Sequence, residues 1–335
     1  MCGIIKAMKD YAPVYTITSK ITSLVYQIAQ DLERINIIRE QVLTPHLRRE
    51  NRIKTIRSSL YIEANSLSLE QVADVIDGKS VVGPLQDINE VKNAMEAYDR
   101  LLGCDPYSVK DLLAEHKLMT KDTVNESGRF RSHGVGVFAG NIPIHVAPPA
   151  EQVPVLVEQL LFWAKSDNLP QIIKSCIFHY EFEFIHPFAD GNGRMGRMWQ
   201  TLLLYQENPV FGWLPVETIV ANRQSEYYDA IQRSTKENDS AIFAEFMLTA
   251  LAEAIAEFKN NQGSVGTPLE PPLSKTEQSV LDTILSNPYA TYHDIAQKIE
   301  KTPKTVQRAL VSLKNRGIVS RVGSDKTGHW VISNT

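Results

Sequence analysis

The chain has 335 residues, 43% hydrophobic and 22% charged, with a net charge of -4. This is ordinary globular composition with room for two or three domains, and it argues against a protein that is basic throughout, so any nucleic-acid contact belongs to one part of the chain. Cys2, Cys104 and Cys176 lie far apart without paired metal-ligand spacing. That spacing favours reduced thiols over a disulfide framework, and no apolar run reaches the roughly 18 residues of a membrane span, so the expectation is a soluble cytoplasmic protein without membrane partners.

The opening "MCGIIKAMKDYAP" turns charged too soon for a signal peptide. "MCGI" also opens amidotransferases that use a Cys nucleophile, but those continue into strand-rich sequence, whereas here helical patterns follow. Apolar spacing predicts a helix from Ile17 to about Val42 and a second ending near Asn65. "SLSLEQVADVIDG" and "INEVKNAMEAYDRLLG" predict helices with Ser68 and Asn89 as N-caps and Gly78 and Gly103 as stops.

"GRFRSHGVGVFAGNIPIHVAPP" breaks the helical pattern and predicts a short, open β-hairpin. Helical periodicity returns in "EQVPVLVEQLLFWAKS", "PQIIKSCIFHYEFEFI", "MWQTLLLYQ" and "SEYYDAIQRS". "NNQGSVGTPLEPPLS" reads as a linker, followed by three short helices and two strands around a Gly-containing turn, the pattern of a winged helix-turn-helix. The expected fold class is mainly α: an N-terminal helical region (1–110), a helical core with the β-hairpin (111–259), a linker (260–273) and a winged helix-turn-helix domain (274–335).

Chemistry concentrates in "FIHPFADGNGRMGR", which begins at Phe184. The residue before a proline leaves the α conformation, so His186 stands at a helix end. Gly191 and Gly193 free a turn whose N–H groups can converge on an anion, at the positive start of the next helix. Asp190 is a hard oxygen ligand suited to Mg2+ shared with phosphates, Asn192 can donate to a non-bridging oxygen, and Arg194 and Arg197 share a helix face that suits terminal phosphates. His186 can take a proton from an attacking hydroxyl. A metal alternative places His179, Glu183 and His186 on one helical face, although Pro187 breaks that helix and no further ligand is apparent.

"HPFADGNGRMGR" resembles the Fic-family signature H-x-F-x-[DE]-G-N-G-R-x-x-R at every specified position. The resemblance implies a protein adenylyltransferase that moves AMP from ATP to a Ser, Thr or Tyr hydroxyl of a target protein. His186 would be the general base and Asp190 the Mg2+ ligand. Gly191, Asn192, Gly193, Arg194, Met195, Gly196 and Arg197 would form the nucleotide-facing run, with Phe188 as a core anchor. It also makes the hairpin a flap that docks the target by strand addition, with Val135, Gly136, Val137 and Phe138 near the nucleotide, and places Tyr227 near the adenine. Simple packing is the alternative for Tyr227 and Tyr228.

A second family feature is the inhibitory motif [ST]-x-x-x-E-[GN]. In "SSLYIEAN", Ser59 and Glu63 fill its first and fifth places, but Ala64 stands where Gly or Asn is expected. From Lys298 onward the chain carries eight Lys or Arg against two acids, a balance of +6, with Lys301, Lys304, Arg308 and Lys314 on or beside the recognition helix. DNA binding and protein interaction are both open to such a domain. A second copy of the chain is a further partner, as homodimer or automodification target. The competing functions are a DNA-binding regulator with an accessory Fic domain, and a de-AMPylase.

Overall fold

A computed structural model describes residues 12–42, 44–139, 142–263, 274–315, 318–322 and 328–332. The chain divides into two compact units, Met1–Asn260 and Asn261–Thr335. The described residues are mainly helical, and none of their helices is long and apolar enough to cross a membrane.

In the first unit α1 (Ser19–Val42) is followed by α2 (Pro45–Ile62). The Thr44 side chain caps α2, and Pro45 sits at its first position, where no intrahelical N–H is needed. The expected end near Asn65 falls earlier, because Glu63 is the C-cap and Ala64 turns left-handed at φ 68°. Then come α3 (Leu69–Ile76), α4 (Leu85–Leu101) and α5 (Val109–Met119). Ser68 forms a capping box with Gln71, as its spacing predicts. Asn89, expected as an N-cap, lies inside α4, since Pro84 sets the entry and lets the helix start at Leu85.

Strands β1 (Gly136–Ala139) and β2 (Ile142–Val146) form the expected antiparallel hairpin, with a register shift between Val137 and Phe138. Beyond it lie α6 (Val153–Ser166), α7 (Gln171–Ile185), α8 (Asn192–Glu207), α9 (Val216–Asn222), α10 (Gln224–Glu237) and α11 (Ala241–Gly263). Helix α7 is buried on nearly every side, as its all-round apolar sequence requires. Its one cation, Lys174, donates to the carbonyls of Ala164 and Asp167 at 2.9 and 3.0 Å and so caps the end of α6. The α7–loop–α8 segment therefore sits on rigid, well-packed helices.

The second unit holds α12 (Lys275–Ser286), α13 (Tyr292–Lys298), α14 (Pro303–Asn315) and the antiparallel pair β3 (Val319–Val322) and β4 (His329–Ile332). Val280, Ile284, Ile295, Val306, Leu310, Leu313 and Trp330 give it a core of its own. Three helices followed by a two-stranded ribbon make the winged helix.

Candidate active site

Helix α7 ends where His186 enters the left-handed region, at φ 48° and ψ 63°, ahead of Pro187. For a residue other than glycine this conformation costs roughly 1–3 kcal/mol and persists only where neighbours hold it. The His186 N–H donates to Phe182 O at 2.9 Å, and the His186 carbonyl accepts from Arg131 Nε at 2.8 Å. Ring atom Nδ1 lies 3.3 Å from the Glu183 carbonyl. A carbonyl only accepts, so Nδ1 carries the proton in this contact and Nε2 is left as the basic nitrogen.

Beneath the ring, the Glu183 carboxyl stands 4.0 Å from Nδ1 and 3.8 Å from His179 Nε2. Burial pushes Glu183 up to about 8, with the charge of Arg197 acting the other way, so it is mostly a neutral acid at pH 7. His179 is pushed down to about 3 by burial. Its Nδ1 meets Gln200 Oε1 at 2.7 Å and its Nε2 the Tyr227 hydroxyl at 3.1 Å. Among the described residues no group of three potential metal ligands occurs, and His179 serves packing.

The loop turns through Gly191 at φ 85°, where a Cβ would also meet Thr120 Cγ2 at 2.9 Å. Asn192, expected to donate to phosphate, is 2% exposed and closes the loop instead. Its Oδ1 accepts the Phe188 N–H at 2.8 Å and its Nδ2 donates to the Phe188 carbonyl at 2.9 Å. Helical bonding begins with the Met195 N–H to the Gly191 carbonyl at 3.0 Å, so the N–H groups of Asn192, Gly193 and Arg194 precede it at the positive end of α8. Met195 is fully buried, and a Cβ at Gly196 would meet Glu183 Oε1 at 2.9 Å. Both therefore pack α8 onto α7 and do not face the open side of the loop.

Phe188 anchors the loop in the core, as expected, stacked on the His116 ring at 3.6 Å between centroids. The Gly128 N–H donates to His116 Nδ1 at 3.0 Å, so Nε2 carries the ring proton and donates to the Asp190 carbonyl at 3.0 Å. Burial pushes His116 down to about 4, consistent with that neutral form.

The Asp190 side chain is 59% exposed, with Arg194 Nη2 3.1 Å from its Oδ2 and the Gly191 N–H on its Oδ1 at 2.7 Å. A single open carboxylate fits Mg2+, which takes most of its ligands from phosphate and water rather than from a protein cage. Arg194 is buried between Asp190 and Glu90, the latter at 3.5 Å, so it braces the loop against α4 instead of standing in the open.

Arg197 lies one turn further along α8, its side chain 2% exposed. Nε donates to Ser59 Oγ at 3.1 Å, and Nη2 donates to the Ser59 carbonyl at 3.0 Å and to Glu63 Oε1 at 2.8 Å. Nη1 has no hydrogen-bond acceptor. Burial opposes the Arg197 charge, but Glu63 together with Tyr227 and Glu183 more than offsets it and the guanidinium is held charged. A Cβ at Gly193 would run into Glu63 Oε1, so the absence of a side chain there is what admits the carboxylate to the start of α8.

Tyr227 is 1% exposed, its ring packed against Phe243, Tyr228 and Phe246 and its hydroxyl 3.1 Å from His179 Nε2, so it backs the Glu183 cluster from within the core. Val135 and Gly136 form the foot and first rung of the hairpin, where Gly136 pairs with Val146. The side chains of Val137 and Phe138 lie outside the described residues. Arg131, His116, Glu90 and Glu183 were not singled out by sequence as members of the loop's support. Glu183 alone carried a signal, its i, i+4 spacing from His179. In the second unit Lys301, Lys304 and Arg308 are exposed, the last two on α14, while Lys314 stacks over the Trp330 ring at 5.2 Å.

An imidazole on a strained helix end, a glycine turn and a helix N-terminus that already holds a carboxylate make a candidate anion-binding loop. The Fic/DOC family model matches residues 106–204, and a winged helix-turn-helix DNA-binding model matches residues 273–320. The chain is 41% identical to a Fic family protein from Desulfovibrio desulfuricans, whose crystal structure superposes with a TM-score of 0.76 over 97% of this chain and 99% of that one. It is also 29% identical over 216 residues to the protein adenylyltransferase fic-1 of Caenorhabditis elegans, covering 59% of this chain and 40% of that protein. A probable protein adenylyltransferase of Aquifex aeolicus is 30% identical over 186 residues, 53% of each chain. The chain spans about half the length, or less, of these curated relatives. It belongs to the Fic family.

Proposed function

We propose that the protein transfers AMP from ATP to a hydroxyl side chain of a protein, and that Glu63 restrains this activity. The adenylyltransferase names of the relatives support the reaction. The observation that carries the reading is the contact of Glu63 with Arg197 at the start of α8, one loop away from His186.

In the reaction the acceptor oxygen attacks the α-phosphorus, the bond to the bridging oxygen of the β-phosphate breaks, and pyrophosphate leaves. His186 Nε2 takes the hydroxyl proton, with Nδ1–H turned to the Glu183 carbonyl. The N–H groups of the first turn of α8 hold phosphate oxygens, and Arg197 Nη1, without an acceptor of its own, is the donor for the terminal phosphate. Bound at Asp190, Mg2+ would neutralise charge on the phosphates. The hairpin offers its edge to an extended stretch of the target, the chain itself included. While Glu63 holds Arg197, the terminal phosphate lacks its partner and ATP settles with its α-phosphate out of line.

The exposed Lys301, Lys304 and Arg308 favour DNA as the partner of the second unit, as an accessory to the enzyme. Incubation of the full chain with ATP labelled on the α-phosphate and Mg2+, followed by mass spectrometry of all modified proteins, tests the reaction. AMP adducts on Ser, Thr or Tyr are expected, and labelled protein that instead loses AMP would support the de-AMPylase.

A further inference from the structure

Arg131 lies outside the catalytic loop, yet its guanidinium donates to carbonyls at the end of α7 and at the feet of the hairpin. It is 2% exposed. Nε donates to the His186 carbonyl at 2.8 Å and Nη2 to that of Ile185 at 3.3 Å, so the cation caps the end of α7. The same side chain reaches both legs of the hairpin, with Nη1 donating to the His133 carbonyl at 2.9 Å and Nη2 to that of Pro148 at 2.5 Å. Its own N–H donates to the Pro187 carbonyl at 3.0 Å. Burial holds the guanidinium below its ordinary value, with Glu151 acting in the opposite sense, so the charge is retained at a cost.

The consequence is geometric. His186 has a strained backbone, and the hairpin pairs only with itself among the described strands. One planar fork joins the two, and its donors cannot be reproduced by an ammonium, which offers a compact point charge in place of a fixed set of directions.

We infer that Arg131 is a positioning residue that sets the His186 base in register with the hairpin on which the acceptor segment docks. The inference rests on the AMP transfer proposed above. Arg131 touches neither nucleotide nor acceptor, and acts through the backbone of His186 and the feet of the hairpin. Its loss should therefore lower turnover without changing how ATP is held, because misplacing a reacting group by about 1 Å costs about a hundredfold in rate.

The test uses the full chain carrying Glu63→Gly, with Arg131→Gln or Arg131→Lys added. Pyrophosphate release and AMP incorporation into the chain give kcat and the KM for ATP, equilibrium binding gives the affinity for ATP, and circular dichroism gives the folded fraction. The expected result for both variants is a fall in kcat of about a hundredfold, with KM and ATP affinity within about twofold of the parent. Arg131→Lys keeps the charge and guards against a variant that fails to fold. An unchanged kcat in folded Arg131→Lys overturns the inference, as does a loss matched by weaker ATP binding or by the unfolded fraction. Failure of the Glu63→Gly parent to release pyrophosphate or take up AMP would instead remove the reaction on which the inference rests.

Discussion

Arg197 Nη2 and Glu63 Oε1 meet at 2.8 Å across 134 positions of sequence, with the arginine side chain 2% and the glutamate 33% exposed. The pair joins the end of α2 to the second turn of α8. Because the glutamate still touches water, its contribution is less than the ~3–5 kcal/mol of a fully enclosed pair, and about 1–3 kcal/mol is a reasonable magnitude. Glu63→Gly should therefore raise AMP incorporation by one to two powers of ten and lower the melting temperature. Equal initial rates for the two proteins at saturating ATP would reduce Glu63 to a helix-end charge.

Ala64 carries φ 68°, the conformation that Gly or Asn adopts at lower cost, which gives a physical reason for those residues at the motif's sixth place. Ala64→Gly should relieve this strain and stabilise the protein by up to about 1 kcal/mol, since glycine's greater freedom when unfolded offsets part of the gain. Basal AMP transfer should fall or stay level. Urea titration of both proteins checks the first expectation, and a lower midpoint for Ala64→Gly would contradict it.

His186→Ala should abolish transfer, by a factor of a thousand or so, while leaving ATP affinity nearly unchanged, since the imidazole acts on the incoming hydroxyl and not on the phosphates. Binding measured by calorimetry alongside single-turnover labelling separates the two. Transfer that survives in this variant would take His186 out of the mechanism.

Glu183 has a folded value near 8 against an ordinary 4.5, because burial opposes its ionisation. A raised value means that the folded state binds the extra proton. The contribution is therefore complete below about pH 4.5 and lost as pH climbs toward 8, at about 1.4 kcal/mol for each unit of difference. Glu183→Gln cannot ionise, so its stability should fall less than that of the wild type between pH 5 and pH 8. Melting curves at both values decide this, and parallel losses would show that Glu183 is not the group responsible.

Residues 274–335 carry their own core, and a fragment beginning near Pro271 should bind duplex DNA with strong salt dependence. If Lys301, Lys304 and Arg308 each neutralise one phosphate, the slope of log affinity against log salt should be about -3. A gel-shift series between low and moderate salt measures it. No shift at the lowest salt would favour a protein partner for this unit.

Local rules made much of the molecule legible. Pro187 ends α7, Gly191 permits the turn, Ser68 caps α3 and the mixed Gly and β-branched run forms the hairpin, each depending on residues within a few positions of one another. The candidate loop was readable for the same reason, since His186, the open carboxylate of Asp190 and the N-terminus of α8 are contiguous. Even there the sequence stated residue types but not directions: Asn192 and Arg194 turned inward, and Tyr227 joined the aromatic core.

What only the tertiary structure decided is how distant elements complete the site. The chain places Glu63 in a pattern that resembles an inhibitory motif, but its meeting with Arg197 depends on α2 packing beside α8 and on Gly193 leaving room for the carboxylate. His116 beneath Phe188 and Arg131 between the hairpin and α7 carry no mark in the chain that assigns them these places, and Glu183 behind His186 shows only its spacing from His179 and His186 on one helical face. Periodicity reports which face of a helix is buried, and it is silent on which neighbour buries that face. The hydrogen bonds that aim the base and occupy Arg197 run between such faces, so they exist only once the helices have packed.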